Sequence, residues 1–326
     1  MGGQSKAWPE RMAGHRVVVV GEPVLDVYLN GVTERVSREA PVLIVQEESR
    51  HERLGGAANT AANLTALGAD VTLVGFVGED AEGIALADLV RTSGIRDALV
   101  CRQGGRTVTK TRVMAGSQHI RKQQMLRIDR ANRAPPTTSC IDRWRDRARA
   151  ALAFADALVV SDYGDPNLTE LYVNLAARGR KEGKAVIVDS RHALLRFEGV
   201  TAVTPNVPEV EALLGVRLHD DERTLAAARE LRHRLSTRAV VITRGQEGMA
   251  VVSEDDSDTL LPPIGGDAVD VTGAGDTVTA AFTLAWLAGA SAPTAAALAN
   301  HAASITVQQV GTATCTPVQL QASWLA

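Results

Sequence analysis

"HRVVVVGEP", His15 to Pro23, places four valines in a row and closes them with a glycine. A strand with one wet face alternates apolar and polar residues. A run that is apolar at every position predicts a strand buried on both faces, as in a parallel sheet covered by helices. The stretches "VTLVGFVG" (Val71 to Gly78), "ALVVSDYG" (Ala157 to Gly164), "AVIVDS" (Ala185 to Ser190) and "AVVITRG" (Ala239 to Gly245) have the same form. Helical patterns lie between several of them, at Gly56 to Leu67, Ala81 to Thr92, Leu168 to Lys181 and Glu222 to Leu235. This alternation predicts an α/β fold, a doubly wound and mostly parallel sheet flanked by helices.

Two segments break the rhythm. Gly31 to Glu48, "GVTERVSREAPVLIVQEE", and Thr107 to Asp129, "TVTKTRVMAGSQHIRKQQMLRID", alternate polar and apolar residues. They read as exposed antiparallel strands of a small β-sheet lid near 31–48 and 107–129. No repeat, low-complexity tract or long linker interrupts the chain. A single domain over 16–326 is expected, behind a disordered leader at 1–15.

The totals set bounds. The 326 residues suffice for one large domain with an insertion. Aromatics are only 3%, so the core must be built from Ala, Val and Leu. A net charge of −3 gives no case for nucleic-acid or membrane binding. Cys101, Cys140 and Cys315 lie far apart without CxxC spacing, as reduced thiols of a cytoplasmic protein do. The longest apolar stretch, "VTAAFTLAWLAGASA", falls short of the ~20 residues that span a bilayer. It reads as a buried helix.

That helix is preceded by "DVTGAGD", Asp270 to Asp276. The run Gly273-Ala274-Gly275 offers unhindered N–H groups at the positive end of a helix dipole, an anion site. Asp276 would repel a bound phosphate, but it suits a group that takes a proton from an attacking hydroxyl. Spacing alone fits a capped helix start with a tight turn equally well. "GGAAN", Gly55 to Asn59, opens another helix and allows close backbone approach, whether by a ligand or by a packed neighbour. Asp26 lies past the first strand, at the edge where ligands of open α/β sheets bind, though a lone Asp there is more often a cap. Asn206 and Glu209 of "NVPE" could face a hydrated Mg²⁺, or merely balance a helix dipole. Arg35, Arg38, Lys110, Arg112, Arg121, Lys122 and Arg127 of the lid segments read mostly as a solvated face, some as a phosphate clamp. There is no P-loop and no G-x-G-x-x-G after the first strand. The seven histidines form no metal-spaced cluster.

Taken together these stretches resemble the ribokinase-like sugar kinases, the phosphofructokinase B family. The likeness rests on "GGAANTAANLTALGADVTLVGFVGED", on "DAVDVTGAGDTVTAAF", and on "TPNVPE" and "VITRGQEG" in order between them. Within the family the chain is most similar to kinases of heptose 7-phosphates, through "GEPVLDVYLNG", "RVSREAPV", "TKTRVM", "LRID", "VSDYG" and "GTATCTP". It departs from that subgroup in "SDYGDPNLT", where a Lys is usual near Asp165 and Pro166, and in "DSR", Asp189 to Arg191, where "DPK" is usual. The nucleotidyltransferase domain of bifunctional members is expected to be missing.

The resemblance implies an ATP-dependent kinase using Mg²⁺, with Asp276 as catalytic base and Gly273, Ala274 and Gly275 as anion hole. It implies Asn206 and Glu209 around Mg²⁺ and its waters, and Thr243, Gly245, Gly248 and Asn300 along the ATP site. Asp26, Gly55, Gly56 and Asn59 would hold sugar hydroxyls. Lys110, Arg112 and Arg127 would meet a substrate phosphate. Asp270 and Thr272 fall where many members bind a monovalent cation such as K⁺. The expected acceptor is the anomeric hydroxyl of a heptose 7-phosphate. The alternatives are ribose, fructose or adenosine, or a silent sugar- or nucleotide-binding regulator. A homodimer through the lid sheets is expected.

Overall fold

The computed structural model describes residues 8–116, 122–131, 134–255 and 258–326. The chain begins with α1 (Trp8–Met12), β1 (Arg16–Gly21), β2 (Pro23–Val36), β3 (Leu43–Gly56), α2 (Ala57–Ala66), β4 (Asp70–Val74), β5 (Phe76–Gly78) and α3 (Ala81–Thr92). Next come β6 (Arg96–Asp97), β7 (Val100–Arg102), β8 (Thr109–Gly116), β9 (Gln123–Arg130), α4 (Thr138–Ala153), β10 (Ala157–Asp162), α5 (Thr169–Lys181) and β11 (Ala185–Ser190). The last part holds β12 (Ala202–Val203), α6 (Val207–Leu214), α7 (Asp221–Leu235), β13 (Ala239–Thr243), β14 (Met249–Ser253), β15 (Asp258–Leu261), α8 (Ala274–Leu287), α9 (Ala292–Thr306) and α10 (Pro317–Leu325).

The four valines decide the architecture as the sequence predicts. β1 lies inside a nine-stranded sheet of order β15-β14-β13-β12-β11-β10-β1-β4-β6. It pairs in parallel with β10 and β4. Val17 and Val19 enter one core, and Val18 and Val20 the other. The first core packs Ala- and Leu-rich residues of α2, α8 and α9 on one face of the sheet. The second packs Trp144, Tyr172 and residues of α4, α5 and α7 on the other. All pairings from β6 to β13 are parallel; β14 and β15 close one edge in antiparallel register.

The lid is a second sheet of order β3-β2-β8-β9. β2 with β3 and β8 with β9 are antiparallel, but β2 and β8 join in parallel. The expected antiparallel lid is thus two antiparallel pairs fused side by side, because a long crossover separates them in the chain. Register places Asp26 opposite Lys110, Tyr28 opposite Arg112, and Arg112 opposite Arg127. Directly paired residues share a face, so these side chains all lie on one side of the lid.

The expected leader is corrected at its C-terminal end. Residues 1–7 lie outside the described residues, but Trp8 and Met12 are buried in helix α1, and Arg11 donates to the carbonyl of Ala288. A large aromatic at Trp8 can leave water only by docking, and this one packs into the first core.

Candidate active site

The parallel strands point their C-terminal ends at one edge of the sheet, and the ends of four of them bring together the residues that meet there. Tyr163 follows β10, and Asp189 is at the end of β11. Asn206 and Glu209 open α6 after β12, Thr243 ends β13, and Asp276 lies in the first turn of α8. A cleft of about 130 Å³ joins them, lined by Asp162, Tyr163, Asp189, Arg191, Thr204, Asn206, Glu209, Thr243, Gly273, Gly275 and Asp276.

Asp276 does not cap its helix. The cap position is Gly273, left-handed at φ 83°, and no side chain bonds the helix end. The Asp276 carboxylate is buried and accepts three hydrogen bonds. Asn59 Nδ2 gives 2.8 Å to Oδ2, Thr60 Oγ1 2.9 Å to Oδ1, and the Tyr163 hydroxyl 3.1 Å to Oδ1. Each carboxylate oxygen has two lone pairs. Oδ1 is saturated, and Oδ2 keeps one for a further proton. Burial pushes the carboxyl above its usual range, against these hydrogen bonds and the nearby Lys110 charge. Behind Asn59, Asn63 donates to its backbone carbonyl at 3.0 Å, and Thr277 donates to Asn63 at 3.0 Å. This chain fixes the amide that fixes the carboxylate.

The glycines have a steric reason. A Cβ on Gly273 would come within 2.5 Å of Asn59 Nδ2, the donor to Asp276. A Cβ on Gly55 would collide with the Asp26 carboxylate. Gly275 has open space above it. In the expected anion hole, the Ala274 N–H is turned back to the Val271 carbonyl at 3.2 Å. Among the described residues, the Gly275 and Asp276 amides have no acceptor and remain for an anion.

Asn206 and Glu209 form a capping box, with Asn206 N–H to Glu209 Oε2 and Glu209 N–H to Asn206 Oδ1 both at 2.9 Å. Their side chains nevertheless line the cleft. Burial pushes both Asp189 and Glu209 up. The charges of Glu209, Asp276 and Asp162 raise Asp189 further, and only Arg191 opposes them. Four carboxylates facing one arginine make a cleft that favours an added cation. No group of three or more metal-ligating side chains is preassembled among the described residues.

Other expected residues fall around this centre. Asp26 is buried and paired with Arg112 Nη1 at 2.5 Å. Gly245 and Gly248 bound the turn after β13, at φ 57° and 83°. Asn300, on α9, donates to the Pro262 carbonyl at 2.8 Å and is not part of the cleft. Asp270 accepts N–H bonds from Thr272 at 2.9 Å and Gly311 at 2.8 Å. Burial raises its carboxyl, but these donors outweigh it and hold the group low.

The cationic clamp is rearranged. Arg112 is committed to Asp26, and Arg127 is bound to Asp129 by bonds of 2.7 and 2.5 Å. Lys122 pairs with Glu48, Arg35 and Arg38 are exposed, and Arg121 lies outside the described residues. Lys110 stands over the Tyr163 ring, 5.0 Å from its centroid, joined there by Arg191 at 5.3 Å. Burial lowers the Lys110 ammonium, despite the attraction of Asp26.

Sequence reasoning missed Thr60, Asp162, Tyr163, Asp189 and Arg191 as site residues. Four of them lie in or just after the C-terminal ends of β10 and β11, where ligands of such sheets bind. That signal was available in "VSDYG" and "VDSR".

The sequence matches the family described as pfkB family carbohydrate kinase over residues 15–319. It is 39% identical to the bifunctional protein HldE of Paramagnetospirillum magneticum over 307 residues, 93% of this chain and 62% of that protein. HldE of Methylococcus capsulatus is also 39% identical, over 94% of this chain and 63% of its own length. The chain therefore spans less than two thirds of the curated relatives it matches. Among solved structures, phosphofructokinase-2 of Escherichia coli in complex with potassium superposes with a TM-score of 0.78 at 20% identity, covering 96% of this chain and 98% of that one. The crystal structure of a putative ribokinase from Agrobacterium tumefaciens superposes with a TM-score of 0.76 at 21% identity, with the same coverage. With this match across nearly its whole length, and an acid beside a glycine turn at the sheet's ligand edge, the chain belongs to the pfkB family of carbohydrate kinases.

Proposed function

We propose that this kinase phosphorylates the anomeric hydroxyl of a heptose 7-phosphate, using ATP and giving the 1,7-bisphosphate. The observation that carries the reading is the Asp276 carboxylate, held by three donors with one lone pair free beside the unfilled amides of Gly275 and Asp276. The choice of sugar rests on the likeness to the HldE proteins, one of which is 39% identical to this chain over the 307 aligned residues.

Asp276 takes the proton of the sugar hydroxyl, or orients that hydroxyl, as its oxygen attacks the γ-phosphorus in line. The Gly275 and Asp276 amides at the start of α8 stabilise charge on the transferring oxygens. Asn206 and Glu209, with Asp189 close by, fit a hydrated Mg²⁺ because they offer hard oxygen donors and surplus negative charge. Such an ion supplies neutralisation of the phosphate oxygens. Thr243, Gly245 and Gly248 shape the phosphate end of the ATP site, with Asn300 further along it. Asp26, Gly55, Gly56 and Asn59 face the sugar. Asp270 and Thr272 are the place for a monovalent cation. A site of this kind works in the cytoplasm, where ATP is supplied.

The test is ADP release with a panel of acceptors: heptose 7-phosphate, heptose, fructose 6-phosphate, ribose and adenosine. The reading expects the highest kcat/KM with heptose 7-phosphate. A higher value with a neutral sugar or adenosine would replace it.

A further inference from the structure

A second cavity, of about 420 Å³, lies on the other side of Tyr163. It shares Tyr163 and Arg191 with the cleft. Four cations line it, Arg102, Arg106, Lys110 and Arg191, against two carboxylates, Glu22 and Asp165. Glu22 is itself pushed up to about 7 by burial, so its charge is partly lost near neutrality.

The cations are unequally used. Arg102 is 2% exposed, and its Nη1 reaches Asp165 at 3.4 Å, while Nε and Nη2 are buried without a partner. Leaving charged donors buried and unpaired is costly, and the cost is removed by an anion. The side chains of Arg106, Lys110 and Arg191 make no hydrogen bond or ion pair with the described residues. Arg112 and Arg127 are both already paired.

We infer that the phosphate of the acceptor sugar binds in this cavity, on Arg106 with Lys110 and Arg191, with Arg102 behind them. This rests on the reading of a phosphorylated acceptor. The Tyr163 hydroxyl bonds Asp276 and its ring walls the cavity, so a sugar with its reacting end at Asp276 places its far end among these cations. The site thereby reads the phosphate as the specificity element of the substrate.

The experiment compares parent, Arg106→Ala and Arg106→Lys. Arg106 is exposed, so its removal leaves the fold intact. KM is measured for heptose 7-phosphate and for heptose, and inorganic phosphate is titrated as an inhibitor competing with the sugar. In Arg106→Ala the KM for heptose 7-phosphate rises about tenfold, the scale of one charge-assisted hydrogen bond. Its preference over heptose shrinks by the same factor, phosphate inhibition weakens, and Arg106→Lys recovers part of each. A parent that prefers heptose 7-phosphate, with a variant matching it in KM and phosphate inhibition, overturns the cavity assignment and leaves the proposed function standing. A parent that prefers unphosphorylated heptose overturns both.

Discussion

Asp276 and Asp26 are both buried acids, but their surroundings give them different work. Asp276 is met by three neutral donors and keeps one free lone pair. Asp276→Asn should lower kcat by at least ~10²-fold, in the range of a lost general base, while ATP still binds by calorimetry. Near-parental turnover would remove it from that role. Asp26 is answered by a full charge, Arg112, at 2.5 Å. Breaking a buried pair leaves one charge stranded, at about 3–5 kcal/mol. Arg112→Ala should therefore lower stability by that order in denaturant unfolding, and a loss below ~1 kcal/mol would show that the pair is not bound as described. Glu22 behaves as a titrating core residue. Its carboxyl is raised from 4.5 to about 7, so the folded state holds its proton more tightly than the unfolded one. Its contribution is fully present below about 4.5 and is lost as pH rises through 7. Glu22→Gln should flatten the decline of stability across that window, as read by unfolding free energies at each pH.

The strands and their helices were legible because apolar runs and helical periodicity act locally. "HRVVVVGEP" became β1 with a core on each side, and "AVIVDS" became β11 at the expected residues. Helix α3 fills Ala81–Thr92 as read, started by the Asp80 side chain accepting from Gly83 N–H. Less legible was the use of each charge. Alternation placed Lys110 and Arg112 correctly on one lid face, but pairing with Asp26 depends on strand register between segments over 80 residues apart. The cavity beyond Tyr163 depends on Arg102 and Arg106 leaving β7 beside a loop after β10, which no local pattern announces. The turn "GAG" was readable as a turn, yet which amides remain free follows from the Val271 carbonyl. Gly273→Ala tests that element. It forces a side chain into φ 83° and toward Asn59, so kcat should fall at least ~10-fold through the displaced donor. Gly275→Ala, with open space above it, should fold as the parent does.

At the scale of the molecule, the distal lid is apolar on the outside. Val42, Leu43, Ile44, Leu126 and Ile128 are exposed, and Leu126 and Ile128 lie on the face opposite Arg112. β3 and β9 are the edges of that sheet. Exposed apolar edges of this kind are normally covered. We propose a second copy of the chain as the cover, and expect a homodimer in light scattering at micromolar concentration; a monomer would contradict it. No helix of the described residues is long and apolar enough to cross a membrane; the proposed function is sited at the C-terminal edge of the parallel sheet. The most direct test of that function is ³¹P NMR of the product formed from ATP and heptose 7-phosphate. The account predicts a second sugar phosphorus coupled to the anomeric proton, appearing together with ADP. ADP formation without an anomeric phosphate, or with phosphate on another hydroxyl, would contradict it.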